Sequence, residues 1–437
     1  MTQRINYIYI AFLLMIACIT GCQKEGGNGH NAGAPIVIND FTPAQGGFGT
    51  EVLFNGSNYI NDTTQISVTL NGKPLKVVGV NGSQIMAVVP KKVGSGHFVV
   101  TIGGDSVVSS GIFNYVYTRS VSTFAGSDSA GFANGKGADA MFNFSSQSWY
   151  RSMGITVDDN LNVYVADPGN HCIRKIDSNR NVTTFCGNPG SSGYADGKGT
   201  AAKFSLPYDV ALDANGNVWC VDPGNWDIRK IAPDGTATTW AWGNQAPWSV
   251  SVDKTTGTVY YSSCDPSGNI YPITAQWTTG SPVVAGLNYP AGIKFDKAGN
   301  LFVVLNGDHI VKKFTAGTWA ATTVAGQSGV AGYVNGAVTV AKFDHPWGLA
   351  LDAAGNIYVA GNGTWDGGKY NTDQSIRYIE AGTFNVSTYA GSGSAGFADA
   401  VGEAAAFSAP TGVAVDKNGA VYVLDKNNNR IRKIISE

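Results

Sequence analysis

The stretch that decides the fold is written three times in this chain, as DPGNHCIRKID at residues 167–177, DPGNWDIRKIA at 222–232 and DKNNNRIRKII at 425–435. Each copy follows a short run of alternating apolar residues and opens another one. It therefore predicts a corner between two β-strands. A local pattern that returns along a chain indicates a repeat architecture.

Six units that carry this corner follow one another downstream of about residue 119. The first strand of each unit ends in an aspartate: Asp158, Asp213, Asp253, Asp296, Asp352 and Asp416. A polar turn, a second strand, the corner, a third strand and a fourth strand then follow, although the third-strand copy near Ile270 is degenerate. Four short antiparallel strands in each of six units predict a six-bladed β-propeller.

The ends of the repeat region indicate how the ring closes. A lone fourth strand, VSTFAG at 121–126, precedes the first unit, and the last unit stops after its third strand at Ile434. The two fragments complete one blade and leave no unpaired edge across the seam. The pattern resembles the NHL repeat in its order of strand, aspartate turn, strand and Asn-x-Arg-Ile. The third and fourth copies depart from that repeat.

The region before the repeats alternates apolar and polar residues in short runs broken by Gly, Asn and Pro, which is typical of a small β-sandwich. Its opening resembles an IPT/TIG immunoglobulin-like domain, and the matching residues are Phe41, Pro43, Gly46, Gly49, Thr50, Phe54, Gly56 and Tyr59. In bacterial surface proteins such domains are spacers or docking modules. The predicted fold is all-β: an N-terminal IPT/TIG β-sandwich at 34–118, followed by a six-bladed NHL-type β-propeller at 119–437.

The first 22 residues predict export, since one early arginine precedes an apolar run that ends in Gly21-Cys22. Ile19 to Cys22 resembles a bacterial lipobox, which implies lipidation of Cys22 and a membrane anchor. Residues 23–33 are polar and Gly-rich and predict a flexible linker. The combination of modules resembles lipoproteins of gut-type Bacteroidetes. We therefore expect the protein to lie in the cell envelope, at the outer membrane and exposed on the surface. A net charge of −2 gives no basic field for nucleic acid.

Most polar residues of the repeats have a structural interpretation. The six aspartates are expected to cap tight turns. The Arg and Lys of IRKI are expected to be solvated or stacked on neighbours. Cys172 and Cys186 lie on strands joined by a short turn, so the sequence leaves open whether they form a disulfide.

The long inter-blade loops should emerge on one face of the propeller, where binding residues are favoured. The residues that enter the innermost strands after these loops are Met153, Tyr208, Trp248, Ala291, Trp347 and Thr411. Four further residues lie in the same connections: Trp149, Tyr150, Tyr289 and His345. Aromatic faces at the channel mouth suit sugar rings, and the alternative is that these rings pack as a satellite core.

Two classes of function remain. The first is a non-catalytic binding module on the cell surface, with a glycan as the expected partner and a surface protein as the second choice. The alternative is a propeller enzyme, a hydrolase or lyase acting on a polysaccharide or peptide, for which the candidate residues are Asp209, Asp344 and His345. His171 and His309 are expected on opposite sides of the ring, so neither a metal nor another cofactor is predicted.

Overall fold

The computed structural model describes residues 30–144, 153–363 and 372–437, together with the backbone of two short strands, Trp365–Asp366 and Lys369–Tyr370. The chain divides into two compact units, of which the first ends at Val116 and the second is Tyr117–Glu437. The only helical segments among the described residues are single 3-10 turns of three residues each. No helix among them is long and apolar enough to cross a membrane.

The first unit is built on a seven-stranded sheet. Its strands, in spatial order, are Val37–Thr42, Glu51–Ser57, Gln84–Val88, Lys73–Asn81, Ile66–Leu70, Phe98–Ile102 and Asp105–Val108. Alternate residues of these strands point into one core, where the rings of Phe54 and Phe98 meet edge to face at 4.8 Å. A short parallel pair, Gln45–Gly46 with Asn114–Tyr115, joins the two ends of the unit.

The second unit is a six-bladed propeller, as predicted. Strands a to d of each blade run from the central channel outward. Blades 1 to 3 consist of Ile155–Val157, Val163–Asp167, Cys172–Ile176 and Asn181–Cys186; Asp209–Leu212, Val218–Asp222, Asp227–Ile231 and Thr236–Trp242; and Pro247–Asp253, Thr258–Ser263, Gly268–Ala275 and Val284–Leu287. Blades 4 to 6 consist of Pro290–Phe295, Leu301–Leu305, Ile310–Phe314 and Ala321–Ala325; Leu349–Leu351, Ile357–Ala360, Gln374–Ile379 and Val386–Gly393; and Pro410–Val415, Val421–Asp425, Arg430–Ser436 and Arg119–Ala125.

The ring closes in the predicted way. Strand d of blade 6 comes from the start of the unit and pairs antiparallel with strand c from its end, with Val121 opposite Ile434. Blades 3 and 4 also form complete sheets, although their sequences depart from the repeat. The pairing of alternating strands therefore tolerates the loss of the motif.

The aspartates that end the a strands cap the a–b turns, as predicted. Asp213 is representative: its Oδ1 accepts the backbone N–H groups of Asn215 and Asn217, each at 2.9 Å. Its Oδ2 accepts the side-chain amide of Asn217 at 2.8 Å and the indole N–H of Trp219 at 3.0 Å. Burial opposes the charge, but these donors hold the pKa of Asp213 below its usual value.

The arginines of the repeated motif are buried, so the expectation that they are solvated was wrong. Four of them have no exposed surface: Arg174, Arg229, Arg377 and Arg432. Each guanidinium stacks between two rings that lie ten residues apart in the preceding inter-blade loop, which confirms the stacking. The ring pairs are Phe132 with Phe142, Tyr194 with Phe204, Tyr333 with Phe343, and Phe397 with Phe407.

We call each buried arginine with its two rings an arginine clamp. The clamp explains why four of the inter-blade loops are long. Arg432 donates to Asp425 at 2.7 Å, to Asp399 at 2.6 Å and to the carbonyl of Ala398 at 2.7 Å. To reach the arginine, each loop runs down the outside of the next blade, as at Gly197–Lys198, which pairs with strand d of blade 2. Much of each loop therefore packs against its blade and does not project from one face of the propeller.

Candidate functional site

The residues predicted to line the channel mouth on the loop-bearing face form a packed cluster. The ring centroid of Trp248 lies 4.8 Å from that of Tyr208 and 6.4 Å from that of Trp347. Tyr208 is fully buried and Trp347 is 6% exposed, whereas Trp248 is half-buried. Met153 and Ala291 pack into the same cluster, and Thr411 is buried. Of the predicted mouth, Trp248 thus offers the most surface to a ligand.

Of three further predicted ligand residues, the structure describes one. Tyr289 is 40% exposed in the connection between blades 3 and 4. Trp149 and Tyr150 lie outside the described residues, as does the predicted lipidation site Cys22. The binding role of these residues remains a prediction.

An exposed aromatic group that sequence reasoning missed lies at the rim of blade 2. Tyr194 and Trp242 are 49% and 46% exposed, and their ring centroids are 5.4 Å apart. Trp226 is 54% exposed, and its carbonyl accepts the N–H of Gly243, which follows Trp242. We call Tyr194, Trp226 and Trp242 the blade 2 rim.

A sequence signal for the blade 2 rim did exist. Trp226 stands at the corner position that His171 and Asn429 occupy in the other copies, and all three have a left-handed backbone, with φ of 59°, 54° and 49°. A bulky side chain is uncommon in that conformation. A tryptophan there, outside the core, is a departure from the repeat that the fold does not require.

The candidate Asp209 lies in the channel wall and is 2% exposed. Its Oδ2 accepts the hydroxyl of Ser249 at 2.6 Å and the N–H of Val250 at 3.0 Å, and lies 3.9 Å from Nζ of Lys294. Four of the other five blades have glycine at this register, and blade 3 has Ser249. None of the contacts of Asp209 with described residues involves Asp344 or His345.

Asp344 and His345 form a hydrogen-bonded dyad on the loop between blades 4 and 5. His345 Nδ1 and Asp344 Oδ1 are 2.6 Å apart, and the hydroxyl of Thr372 donates to the other carboxylate oxygen. Asp344 is 4% exposed, whereas the His345 side chain keeps 35% of its surface. A carboxylate on Nδ1 orients the ring and supports a proton on that nitrogen, which leaves Nε2 able to accept a proton.

The dyad replaces ordinary loop residues. The backbone N–H of Asp344 bonds to Asp373, just as the N–H groups of Ser205 and Ser408 bond to the corresponding aspartates of blades 2 and 6. His345 likewise stands where those loops have Leu206 and Ala409, all three with a left-handed backbone. Neither side chain of the dyad is therefore needed to build the loop.

His309 lies next to the dyad, a proximity that the sequence reasoning did not anticipate. Its ring is 4.4 Å from that of His345, and ligand atoms of His309, Asp344 and His345 lie within 4.8 Å of one another. However, Nδ1 of His309 accepts the backbone N–H of His345 at 3.1 Å, just as Nδ1 of His171 accepts that of Leu206. A neutral His309 then carries its proton on Nε2, so neither nitrogen offers a lone pair to a metal ion. Burial, and then the neighbouring His345, lower the pKa of His309 and favour this neutral form.

Comparison with known proteins agrees with the two-unit fold. Residues 35–117 match the IPT/TIG domain model, and residues 154–176 and 407–434 match the NHL repeat model. The chain carries an IPT/TIG domain and NHL repeats. Both NHL matches contain corners of the motif quoted at the outset, and blades 3 and 4 lie outside them.

Relatives match the chain at low identity, and the chain spans about a quarter of the length of the curated relative described next. The chain is 28% identical over 316 residues to protein SUPPRESSOR OF QUENCHING 1, chloroplastic, of Arabidopsis thaliana; the match covers 70% of this chain and 26% of that protein. A structural-genomics protein of unknown function from Bacteroides thetaiotaomicron is 20% identical with a TM-score of 0.63, over 93% of this chain and 100% of that one. An auxiliary nutrient binding protein from Bacteroides ovatus is 23% identical with a TM-score of 0.58, over 93% and 99%. Likeness at these identities shows a shared fold.

Proposed function

We propose that this protein is a lipid-anchored protein of the cell envelope that binds glycan, without catalysis, through the loop-bearing face of its propeller. The lipid on Cys22 and the linker at 23–33 attach the protein to the outer membrane. The IPT/TIG domain serves as the spacer.

The observation that carries this proposal is the blade 2 rim. Two rings 5.4 Å apart, each about half exposed, offer the apolar faces that stack on sugar rings, and Trp226 lies beside them. Buried arginine supports one face of Tyr194, since the guanidinium of Arg229 lies 5.6 Å from its ring. The rim is thus held in place before a ligand arrives, which lowers the entropy lost on binding.

The similarity to the auxiliary nutrient binding protein from Bacteroides ovatus supports a binding role. That name states a role in nutrient binding for that protein, and here it favours a nutrient polysaccharide over a protein partner. Half-buried Trp248 at the channel mouth would extend the contact from the rim towards the centre of the face.

Affinity electrophoresis through gels that contain different polysaccharides tests the proposal, with the chain from His30 to Glu437. We expect retardation by at least one polysaccharide, weakened about fivefold or more by Trp242→Ala or Trp226→Ala. Trp248→Ala tests the predicted mouth in the same gels. Trp319→Ala is the matched control, because Trp319 is a partly exposed tryptophan in the turn between strands c and d of blade 4, away from blade 2. The absence of retardation by any polysaccharide, or equal loss in the control, would contradict glycan binding at this face.

A second candidate function is cleavage of the bound polysaccharide by a hydrolase or lyase reaction. The Asp344–His345 dyad alone favours it. His345 would act as the general base through Nε2, with Asp344 as the positioning carboxylate. The test is release of reducing sugar from any polysaccharide that the gels identify. Release abolished by His345→Gln but kept by His171→Gln would support the enzyme, and retardation without release would exclude it for that polysaccharide.

A further inference from the structure

The channel opens into a cavity on the face opposite the aromatic cluster. The cavity has a volume of about 570 Å³ and is lined by the a strands and a–b turns of the blades. This volume lies within the range of small-molecule sites in proteins. The a–b turns are short, so loop length did not predict a site on this face.

One charged side chain projects into the wall of this cavity from the middle of an a strand. Lys294 is the second residue before the capping aspartate of blade 4. The other five blades have small residues at that register, namely Thr156, Ala211, Ser251, Ala350 and Ala414. The propeller therefore does not need a long side chain at this position, and Lys294 lines the cavity as an exception to the repeat.

The surroundings of Lys294 hold its ammonium group at the inner end of the cavity. Its Nζ donates to the carbonyl of Val250 at 3.3 Å and lies 3.9 Å from the carboxylate of Asp209. The Lys294 side chain keeps 23% of its surface, whereas the Asp209 side chain keeps 3%. A molecule that enters the cavity would thus meet the ammonium before the carboxylate, which is already engaged by Ser249 and Val250.

Three more lysines surround the mouth of the cavity. Lys254, Lys297 and Lys417 directly follow the capping aspartates of blades 3, 4 and 6, are exposed, and line the cavity. Among the described residues, none of the three forms an ion pair. Lys297 donates to the carbonyl of Ala353 at 3.3 Å.

The carboxylates at the mouth accept hydrogen bonds from their own turns. The four capping aspartates that line the cavity, Asp158, Asp296, Asp352 and Asp416, each accept two backbone N–H groups of their own turns. Those hydrogen bonds stabilise the carboxylates and occupy oxygen lone pairs, although the negative charge remains. Asp159 is the one exposed acidic residue of the lining that caps no turn, so the ammonium groups are the charges most available to a ligand.

From this arrangement we propose that the cavity binds a small ligand through an oxyanion group, with the ammonium of Lys294 as the direct contact and Lys254, Lys297 and Lys417 as the attracting rim. A carboxylate, a sulfate and a phosphate share the required chemistry. The lining carries carboxylates as well as ammonium groups, so the attraction is local to the lysines, and it strengthens at Lys294, where water is partly excluded. This site is separate from the glycan face and does not depend on it.

Isothermal titration calorimetry at constant ionic strength tests the proposal on the chain from His30 to Glu437. The probes are sodium glucuronate, sodium sulfate and sodium phosphate, with glucose as the neutral comparison. We expect at least one oxyanion to bind and glucose not to bind. Preference for glucuronate would identify a carboxylated ligand, and preference for sulfate or phosphate would identify those groups.

Lysine variants locate the bound ion. Lys294→Thr copies the residue that blade 1 already has, so the fold should persist, and we expect about a tenfold or greater loss of affinity because a charge-assisted contact is removed. Lys254→Met, Lys297→Met and Lys417→Met should each weaken binding about twofold and reduce its dependence on salt. Lys198→Met on the outside of blade 2 is the matched control and should have no effect.

Three outcomes would overturn the proposal. They are no heat from any oxyanion at millimolar concentration, unchanged affinity in Lys294→Thr, and equal binding of glucose and glucuronate. A failure of the glycan proposal is distinguishable, because Trp242→Ala should leave the binding of the ion unchanged.

Discussion

Asp222 and Asp227 face each other as directly paired residues of strands b and c in blade 2, and both are fully buried. Asp222 accepts N–H groups from Ser205 and Asn225. No hydrogen bond from a described residue reaches either oxygen of Asp227, and Nε of Arg229 lies 3.8 Å away. Two buried carboxylates thus share the vicinity of one guanidinium, whereas blades 1, 5 and 6 each place one fully buried carboxylate against the arginine. The second carboxylate at Arg432, that of Asp399, is 42% exposed.

We predict that this pair makes the protein less stable at alkaline pH. Burial, and then the charge of Asp222, raise the pKa of Asp227 to about 8, and burial raises that of Asp222 to about 7. The folded protein therefore holds a proton that the unfolded chain has already lost, so the free energy of unfolding should fall as pH rises from about 4 to about 8. Replacing Asp227 by serine, the residue that blade 5 has at this register, should flatten that fall and stabilise the protein at pH 9 by about 1–3 kcal/mol. Urea unfolding at pH 5, 7 and 9 measures the effect.

The control for this experiment is Asp139→Ser, which removes an exposed carboxylate of the same unit. It should leave the slope of stability against pH unchanged. A parallel shift of Asp227→Ser at all three pH values would show that the carboxylate pair is not the cause.

The arginine clamp is predicted to be a major source of propeller stability. Arg432→Met would leave the buried carboxylate of Asp425 without its counter-ion and would remove the guanidinium donor from three further acceptors, so the free energy of unfolding should fall by about 3–5 kcal/mol. Lys312 of blade 4 occupies the corresponding register without a clamp, and Lys312→Met should cost less than about 0.5 kcal/mol. Urea unfolding compares the two. Similar losses would mean that the clamp does not contribute more than an ordinary strand residue.

The start of each clamp loop passes close to the corner between strands b and c of the blade that it leaves, and this should exclude a side chain there. Gly126 has a φ of +98°, and a Cβ on it would lie 2.4 Å from the carbonyl oxygen of Asn429. Gly126→Ala should therefore destabilise the protein by about 3 kcal/mol or more. Gly199 has a φ of +56° and open space around its Cβ position. Gly199→Ala should therefore lower the free energy of unfolding by only about 1–2 kcal/mol, which is the strain of a left-handed backbone at alanine. Thermal unfolding measures both, and equal costs would contradict the close approach.

The cysteines are predicted to be unreactive in the folded protein. The structure holds Cys172, Cys186, Cys220 and Cys264 as free thiols, and burial raises the pKa of Cys186 to about 11 and that of Cys172 well above its usual value. Iodoacetamide at pH 8 should label none of the four in the native protein and all four in urea, as counted by mass spectrometry. Labelling of only two in urea would instead indicate a Cys172–Cys186 disulfide.

Sequence reasoning located the blades but only part of the candidate site. Aspartates at the ends of a strands cap turns whatever surrounds them, because their partners are two and four residues away. The dyad residues Asp344 and His345 were also named from sequence as candidates for an enzyme, although their bond to each other was not foreseen. The exposed Trp226 and Trp242 were missed, because exposure depends on neighbours from other loops.

The sequence by itself determined the strand order, the blade number and the closing strand pair, because these follow from alternation, turn residues and the order of repeat copies along the chain. Only the tertiary structure decided what the side chains of the repeat do. The burial of Arg432 requires Phe397 and Asp399 from another loop, and the contact of Lys294 with Asp209 joins blades 4 and 2. Such contacts arise when the blades close into a ring, and a linear pattern does not contain them.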